Sequence, residues 1–519
     1  MDSIRLCLHW AWAVPLISVV LILTYFIYNI FFHPLAKYPG PFLAKLGVLR
    51  ATYHAWKGDV HLDAWRCHEK YGPIVRCAPD SLSFSSPDAI RDIYSVSSNV
   101  TKDPRYSVLG KDKLSLVTLI DRGEHLKRRR LVNRSFSGSN IKIFEPNMRV
   151  YVERFLDALS PSKAGTPKGV WGQAIDVSDW CCFLTCDVTT DFLFGLKYDL
   201  LRDSQWQHVV HDLEATNTRL YVLMHAHFLY LGRLDKWLFP EAVRGSKGFM
   251  SFINQLSKDF SQGQPTEHTT PFSRFHEAKG KDVKALMNPK QIYSEATMLV
   301  IAAQDTTSIS LRAIFFYLSR HPHAYQKLAQ EIRATFSPDE SITAEKLRSC
   351  TYLNACILES MRMTPGIPGT TLFRHIRQGG QTIAGEAFPA GTKVAAGIYT
   401  VHRNEEIFPR PWEFIPERWI VDEHTGVSQE QVDMRLRYWL PFSLGPRACL
   451  GKELAQTLIC ITVAGVMRKF DSRVSIGPEG HKGAGRPFGE RGRTSPGEFQ
   501  VKDHIVGMGE GPVLEFRER

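Results

Sequence analysis

The run Phe442-Ser443-Leu444-Gly445-Pro446-Arg447-Ala448-Cys449-Leu450-Gly451 presents one cysteine on a tight, glycine-permitted loop. The chain then reads as a helix from Glu453 to about Arg468. Thiolate is the form of cysteine that binds metal, and a helix N-terminus lowers a cysteine's pKa. Gly445 and Gly451 allow backbone shapes and close approaches that a side chain would block. Arg447 adds a permanent cation two residues from the sulfur, suited to a carboxylate or propionate. A single axial cysteine thiolate is one of the few ways proteins hold haem iron, and it favours O–O cleavage. A buried structural cysteine is the bland alternative, and it leaves the accompanying Phe442, Gly445, Arg447 and Gly451 unexplained.

A second segment bears on the same chemistry. Glu295 to Tyr317 has the apolar content of a long buried helix, and Ala302-Ala303-Gln304-Asp305-Thr306-Thr307 lies in its middle. Threonine is a stiff, mediocre helix former whose hydroxyl can bond back one turn, and a buried carboxylate is costly unless paired. Failures of local rules of this kind concentrate at functional sites. Taken alone, the segment reads as a helix with one polar, solvated stripe. Beside Cys449 it reads as part of a site.

The cysteine loop resembles that of the cytochrome P450 family, and Ala302 to Thr307 resembles the family's oxygen-activating motif. The resemblance implies haem b with Cys449 as the axial ligand of its iron, and Phe442, Gly445, Arg447 and Gly451 shaping the ligand loop. It implies that Thr306 hydrogen-bonds the oxygen being activated and that Asp305 relays protons from solvent. Ala303 departs from the family's usual glycine, and its methyl would tighten the pocket or stiffen the helix. His125-Leu126-Lys127-Arg128-Arg129 matches the family's propionate-binding helix, with His125 and Arg129 on one face. Arg374 and Arg447 fill two further propionate positions. Lys127, Arg128 and Arg130 are expected on the proximal surface, where an acidic reductase domain docks. Glu359 and Arg362, one helical turn apart, would join Arg418 of Pro416-Glu417-Arg418-Trp419 in a buried structural charge network behind the cysteine loop.

These residues need a large scaffold, and 519 residues with a 44% hydrophobic share supply one. The pattern from Phe42 onward is mostly helical, an α+β domain with small sheets, which is also the fold that the resemblance implies. Helical patterning dominates from about Asp88 to Arg362. Short strands are expected near Ile74 to Phe84 and from Gly369 to Ile398, and a hairpin from Phe499 to Glu515 turning around Gly507 to Gly511. The stretch Ile476 to Pro496, rich in Gly, Pro, Arg and Ser, reads as a surface loop. The net charge of +11 fits an anionic membrane surface or an acidic protein partner, while zinc-finger spacing and basic–aromatic platforms are missing, so nucleic acid ranks last. Ten scattered cysteines suggest a reducing compartment. Cys181, Cys182 and Cys186 lie in an apolar stretch without histidine and read as small core residues rather than a metal cluster.

No Asp, Glu, Lys or Arg occurs between Leu6 and Phe32. That length spans a bilayer as a helix, with Trp10, Trp12, Tyr25 and Tyr28 toward its ends. A cleaved signal peptide would have a shorter apolar core and a small-residue cleavage site. Residues 1–32 are therefore read as an uncleaved anchor (span about 10–32), residues 33–41 as a proline-rich hinge, and residues 42–519 as the catalytic domain. Lys37, Lys45 and Arg50 follow the span and place that domain on the cytosolic side. His33-Pro34-Leu35 and Tyr38-Pro39-Gly40-Pro41 resemble the hinge of membrane-bound fungal members of the family.

The resemblance as a whole implies a haem-thiolate monooxygenase of the endoplasmic reticulum membrane. NADPH would supply electrons indirectly, through NADPH–cytochrome P450 reductase, with cytochrome b5 as an auxiliary donor. The substrate would be a hydrophobic small molecule of fungal secondary metabolism, such as a terpenoid, polyketide or alkaloid intermediate. Residues Thr101 to Ile120, Gly366 to Phe373 and Ile505 to Met508 resemble regions that line the substrate pocket. The competing readings are a reductase-independent haem-thiolate isomerase or dehydratase, which has no need of the Asp305–Thr306 pair, and a non-catalytic haem-binding protein.

Overall fold

The computed structural model describes residues 2–110, 114–262, 270–272, 289–369 and 372–519. Lys111 to Lys113 of the first expected pocket segment, and Thr370 and Thr371 of the second, lie outside the described residues.

Among the described residues, helices carry the mass of the protein and four small sheets trim it. The central helix, Pro289–Arg320, is largely buried: Val300, Ile309, Leu311, Ile314 and Phe316 lie in the core beside buried polar residues such as Glu295, Gln304 and Arg312. It packs against the Val177–Phe194 helix, and around it gather Phe155, Phe316, Leu353 and Leu458 in one continuous core. Among the described residues, two helices are long and apolar enough to cross a membrane. The central one is 67% buried inside the protein and is accounted for by that core. The other, Ala13–Phe32, is 6% buried and stands away from the body as a candidate membrane anchor. It is the end of an α-helix, Asp2–Ile27, followed by a single π-helical turn, Tyr28–Phe32. Arg76, wholly buried, donates to the Asn29 carbonyl at 2.7 Å and ties the base of this helix to the first sheet.

That sheet contains β1 (Ile74–Ala78), β2 (Ser81–Phe84), β3 (Val100–Lys102), and then, after the short β4 (Ile175–Asp176) of another sheet, β5 (Arg374–Ile376). The hairpin of β6 (Gln381–Ile383) and β7 (Glu386–Phe388) precedes β8 (Lys393–Ala396), which completes the order β1-β2-β8-β5-β3. β2 and β8 run parallel, and the other pairs are antiparallel. The sheet matters to the site because β3 and β5 deliver Lys102 and Arg374 as register partners.

The C-terminal strands differ from the sequence expectation. β10 (Val501–His504) pairs with β11 (Val506–Gly509) around Ile505, with φ +76, rather than around Gly507 to Gly511. β12 (Val513–Glu518) belongs instead to a sheet with β9 (Phe470–Val474) and β4. The glycines serve packing. A Cβ on Gly509 would meet Phe499 Cζ at 3.0 Å. Residues 476–496 form irregular chain with one short 3₁₀ turn, Pro478–His481, in line with the expected surface loop. Cys181, Cys182 and Cys186 are buried in the Val177–Phe194 helix, and among the described residues no group of three potential ligands surrounds a metal position.

Candidate active site

The cysteine loop is a sequence of close approaches. Ser443 lies at φ +55 and Gly445 at φ +72, in the left-handed region. At Gly445 a Cβ would fall 2.0 Å from the Tyr94 carbonyl oxygen, so glycine is required both by torsion and by space. A 3₁₀ turn, Gly445–Arg447, follows, and the Cys449 amide returns to the Phe442 carbonyl at 2.9 Å. Gly451 is the N-cap of the helix Lys452–Lys469, close to the expected bounds. Its φ of −83° is ordinary, so its role is to leave the sulfur accessible rather than to turn the chain.

Cys449 keeps open surface while protein encloses it on most sides, as a group lining a cavity does. That enclosure pushes its thiol up, whereas the Gly451 and Lys452 amides and the Arg129 charge pull it down. The net direction is upward, although the amides at the helix N-terminus pull the thiol down as expected. The Gly451 and Lys452 amides and Arg129 would stabilise the thiolate that a bound metal requires.

Beside the sulfur lies a cluster of cations without their anions. Arg447 donates to the carbonyls of Leu119 at 2.7 Å and Ile120 at 3.1 Å, Arg129 to Ala448 at 2.7 Å, and Arg374 to Leu372 at 2.9 Å and Phe373 at 3.1 Å. Among the described residues none of them pairs with a carboxylate. Burial, then Arg374, lowers Arg447 to about 10, and burial followed by Arg447 and Arg129 lowers His125 to about 3. Cations gathered this closely without a counter-charge are costly, and an anion would offset that cost. The two carboxylates of haem supply such an anion, so the donor set fits that group: one thiol, then basic side chains on one flank.

The structure brings all four expected residues, His125, Arg129, Arg374 and Arg447, into this cluster. It also adds Lys102, which sequence reasoning missed. Lys102 is buried at the end of β3, 3.8 Å above the Tyr106 ring, and burial with Arg374 and Arg447 drives its pKa well down. A lysine closing a short β-like run was the only local signal. Arg128 is a correction in the other direction. Lys127 and Arg130 are exposed, but Arg128 is 4% exposed and points inward to the Leu114 carbonyl.

On the central helix the Thr306 hydroxyl donates to the Ala302 carbonyl at 2.8 Å, the one-turn back-bond expected of a mid-helix threonine. Asp305 receives the Asn217 side-chain amide at 2.8 Å. Burial raises the Asp305 carboxyl to about 7, against the pull of Asn217. Asn217 sits on the His208–His225 helix and was not singled out from sequence; its only signal was a polar residue in a helix with apolar neighbours. Two of the expected pocket segments meet here. A Cβ on Gly366 would lie 3.2 Å from Thr306 Cβ, and the Gly507 amide donates to the Gly366 carbonyl at 2.9 Å.

Behind the cysteine loop, Glu359 accepts five hydrogen bonds. Arg362 gives two, at 2.8 and 2.9 Å, and Arg418 one at 3.0 Å. Trp419 Nε1 and the Ile415 amide give the others, at 2.9 and 3.0 Å. Burial opposes this carboxylate, yet Arg362 and Arg418 hold it at about 2. The network reaches the loop through His402, whose Nδ1 bonds the Arg362 carbonyl at 2.9 Å and whose Nε2 accepts the Leu440 amide at 3.0 Å. Burial lowers His402 to about 3, so it is neutral and can do both.

The sequence model of the family "Cytochrome P450" matches residues 36–481. A cytochrome P450 monooxygenase of Penicillium oxalicum, poxM, is 37% identical over 95% of this chain and 91% of its own length. The monooxygenases atnE of Emericella nidulans and AKT7 of Alternaria alternata are each 34% identical, covering 98% and 95% of this chain and 97% and 94% of their own lengths. With a thiol and a cationic flank matched to haem b, and with this likeness along nearly its whole length, the chain belongs to the cytochrome P450 family of monooxygenases.

Proposed function

We propose that this protein is a membrane-anchored monooxygenase that takes electrons from NADPH through a separate reductase and oxidises an apolar small molecule. Residues 1–32 are the anchor, residues 33–41 the hinge, and residues 42–519 the catalytic domain, on the cytosolic face of the endoplasmic reticulum. The observation that carries this reading is the juxtaposition of the Cys449 loop with a buried, anion-seeking set of basic side chains. Cys449 holds the haem iron as thiolate, and Arg129, Arg374, Arg447, His125 and Lys102 hold its two carboxylates. Haem b, once bound, supplies the redox chemistry by which one atom of dioxygen enters the substrate and the other leaves as water.

The chain's own work is positioning and proton control. Thr306 offers a hydroxyl that can turn from the Ala302 carbonyl toward the reacting centre. Asp305, with its carboxyl near 7 and one oxygen fixed by Asn217, can both give and regain a proton at neutral pH. Glu359, Arg362 and Arg418 do no chemistry and hold the loop that presents Cys449. Gly366 and Gly507 meet close to Thr306, and the segments that carry them, Gly366 to Phe373 and Ile505 to Met508, are free of charged residues, which favours a hydrophobic substrate. The fungal relatives support a role in secondary metabolism; a terpenoid, polyketide or alkaloid intermediate is the substrate class we infer. Exposed Leu49, Trp56, Leu231 and Trp237 add apolar surface suited to a lipid bed beside the anchor.

The test is expression in membranes with a reductase, followed by a search for a metabolite that shifts the haem spectrum and is oxidised with NADPH. Thr306→Ala should keep the thiolate-type carbon monoxide spectrum while electrons escape to hydrogen peroxide. A variant that couples electrons to product as well as the parent does would remove Thr306 from proton control. Turnover without any reductase would favour the isomerase or dehydratase reading instead.

A further inference from the structure

A buried loop has to find partners for its amides and carbonyls. Residues 114–120 form neither helix nor strand, yet Ser115, Leu116, Thr118 and Leu119 are buried. Within the loop, the Ser115 amide and hydroxyl bond the Thr118 hydroxyl at 2.9 and 3.2 Å. Four charged side chains from four separate parts of the chain take up the outward-facing groups. Arg128 donates to the Leu114 carbonyl at 2.9 Å, Lys102 donates to the Val117 carbonyl, and Arg447 serves Leu119 and Ile120.

Glu295 is the fourth, and it is the acid among three basic side chains. It accepts the Leu116 amide on Oε2 at 2.8 Å. Its side chain is wholly buried, and its Oε1 has no partner among the described residues. An acid kept in the core for one hydrogen bond, with only the nearby Arg128 charge besides to favour its carboxylate, is costly, since a Leu or Met there would bury more cheaply. Burial raises its carboxyl to about 7, and in either protonation state one oxygen can still accept the amide. Glu295 lies on the central helix ten residues before Asp305, about 15 Å along the axis at 1.5 Å per residue. It is thus the side chain that joins this loop to the helix carrying Asp305 and Thr306.

We propose that Glu295 is a positioning residue of the substrate site: its bond to the Leu116 amide clamps residues 114–120 to the central helix and so fixes the shape of the ligand space. The inference rests on the reading that this loop borders that space. The experiment uses the haem-loaded full chain, with Glu295→Met removing the acceptor at similar volume and Glu295→Gln keeping it. Hydrogen exchange is read on peptides covering 114–120. Imidazole and the bulkier 4-phenylimidazole serve as probes, followed by the haem spectrum.

For Glu295→Met the expected result is exchange about 10- to 100-fold faster in the loop, the loss of one hydrogen bond to a charged acceptor. Imidazole affinity should hold, 4-phenylimidazole affinity should change by about fivefold or more, and Glu295→Gln should restore both. If Glu295→Met fails to take up haem, Leu116→Pro removes the same bond from the loop side and should give the same pattern. Unchanged exchange in Glu295→Met, or a Glu295→Gln variant as impaired as Glu295→Met, would overturn the clamp. A loosened loop with an unchanged ratio of the two affinities would overturn the positioning role. A parent enzyme that binds neither probe would instead overturn the haem reading on which the inference stands.

Discussion

Replacing Glu359 by Gln keeps the size of the side chain and removes its charge. In the parent, five donors converge on two carboxylate oxygens that are wholly buried. The variant would turn an amide NH₂ toward at least one of these donors and leave Arg362 and Arg418 without their counter-charge. Breaking a buried pair from one side costs about 3–5 kcal/mol. An independent route gives a similar size: the carboxyl is held at about 2 instead of its ordinary 4.5, and at 1.36 kcal/mol per pKa unit this is roughly 3 kcal/mol. Because the folded-state pKa is depressed, this contribution is present above pH 4.5 and is lost as pH falls toward 2. Urea unfolding of the haem-loaded protein, followed by loss of the thiolate-type carbon monoxide spectrum, reads the effect. At neutral pH Glu359→Gln should be destabilised by about 3 kcal/mol or more, and the gap to the parent should narrow in acid. Stability within about 0.5 kcal/mol of the parent at neutral pH would refute the claim that this network holds the cysteine loop.

Other perturbations probe separate parts of the account. Gly445→Ala places a methyl 2.0 Å from the Tyr94 carbonyl at φ +72, so it should leave most of the expressed protein unable to form the thiolate-type carbon monoxide complex. Product formation should lose a proton donor as pH rises through about 7, the value to which burial lifts Asp305, and Asp305→Asn should flatten that inflection in a pH–rate profile. If Arg374 holds a haem carboxylate as proposed, Arg374→Leu should speed haem transfer to an acceptor protein by about 10- to 100-fold, measured by absorbance.

The sequence made some of this legible because the information is local. Gly445, Arg447, Cys449 and Gly451 lie within seven residues, and the left-handed torsion at Gly445 is one its residue type allows. The central helix was readable from its apolar content, and the misfit of Asp305 and Thr306 within it marked the site. What stayed hidden depends on contacts between distant segments. Lys102, Asn217 and Glu295 acquire meaning only when β3, the His208–His225 helix and the central helix come together. Arg128 looks like its exposed neighbours until helix packing turns it toward Leu114. The glycines at 507 and 509 carry a turn signal that packing overrode, with the bend moved to Ile505. The direction of the Cys449 shift was likewise hidden, since enclosure by the surrounding protein outweighs the helix end.

The bond between Cys449 sulfur and iron tests the account most directly. X-ray absorption at the iron edge of the purified, haem-loaded protein should find one sulfur neighbour in the parent and none in Cys449→Ser, whose reduced carbon monoxide complex should also lose its thiolate-type band. Sulfur ligation that survives in Cys449→Ser, or iron without a sulfur neighbour in the parent, would contradict it.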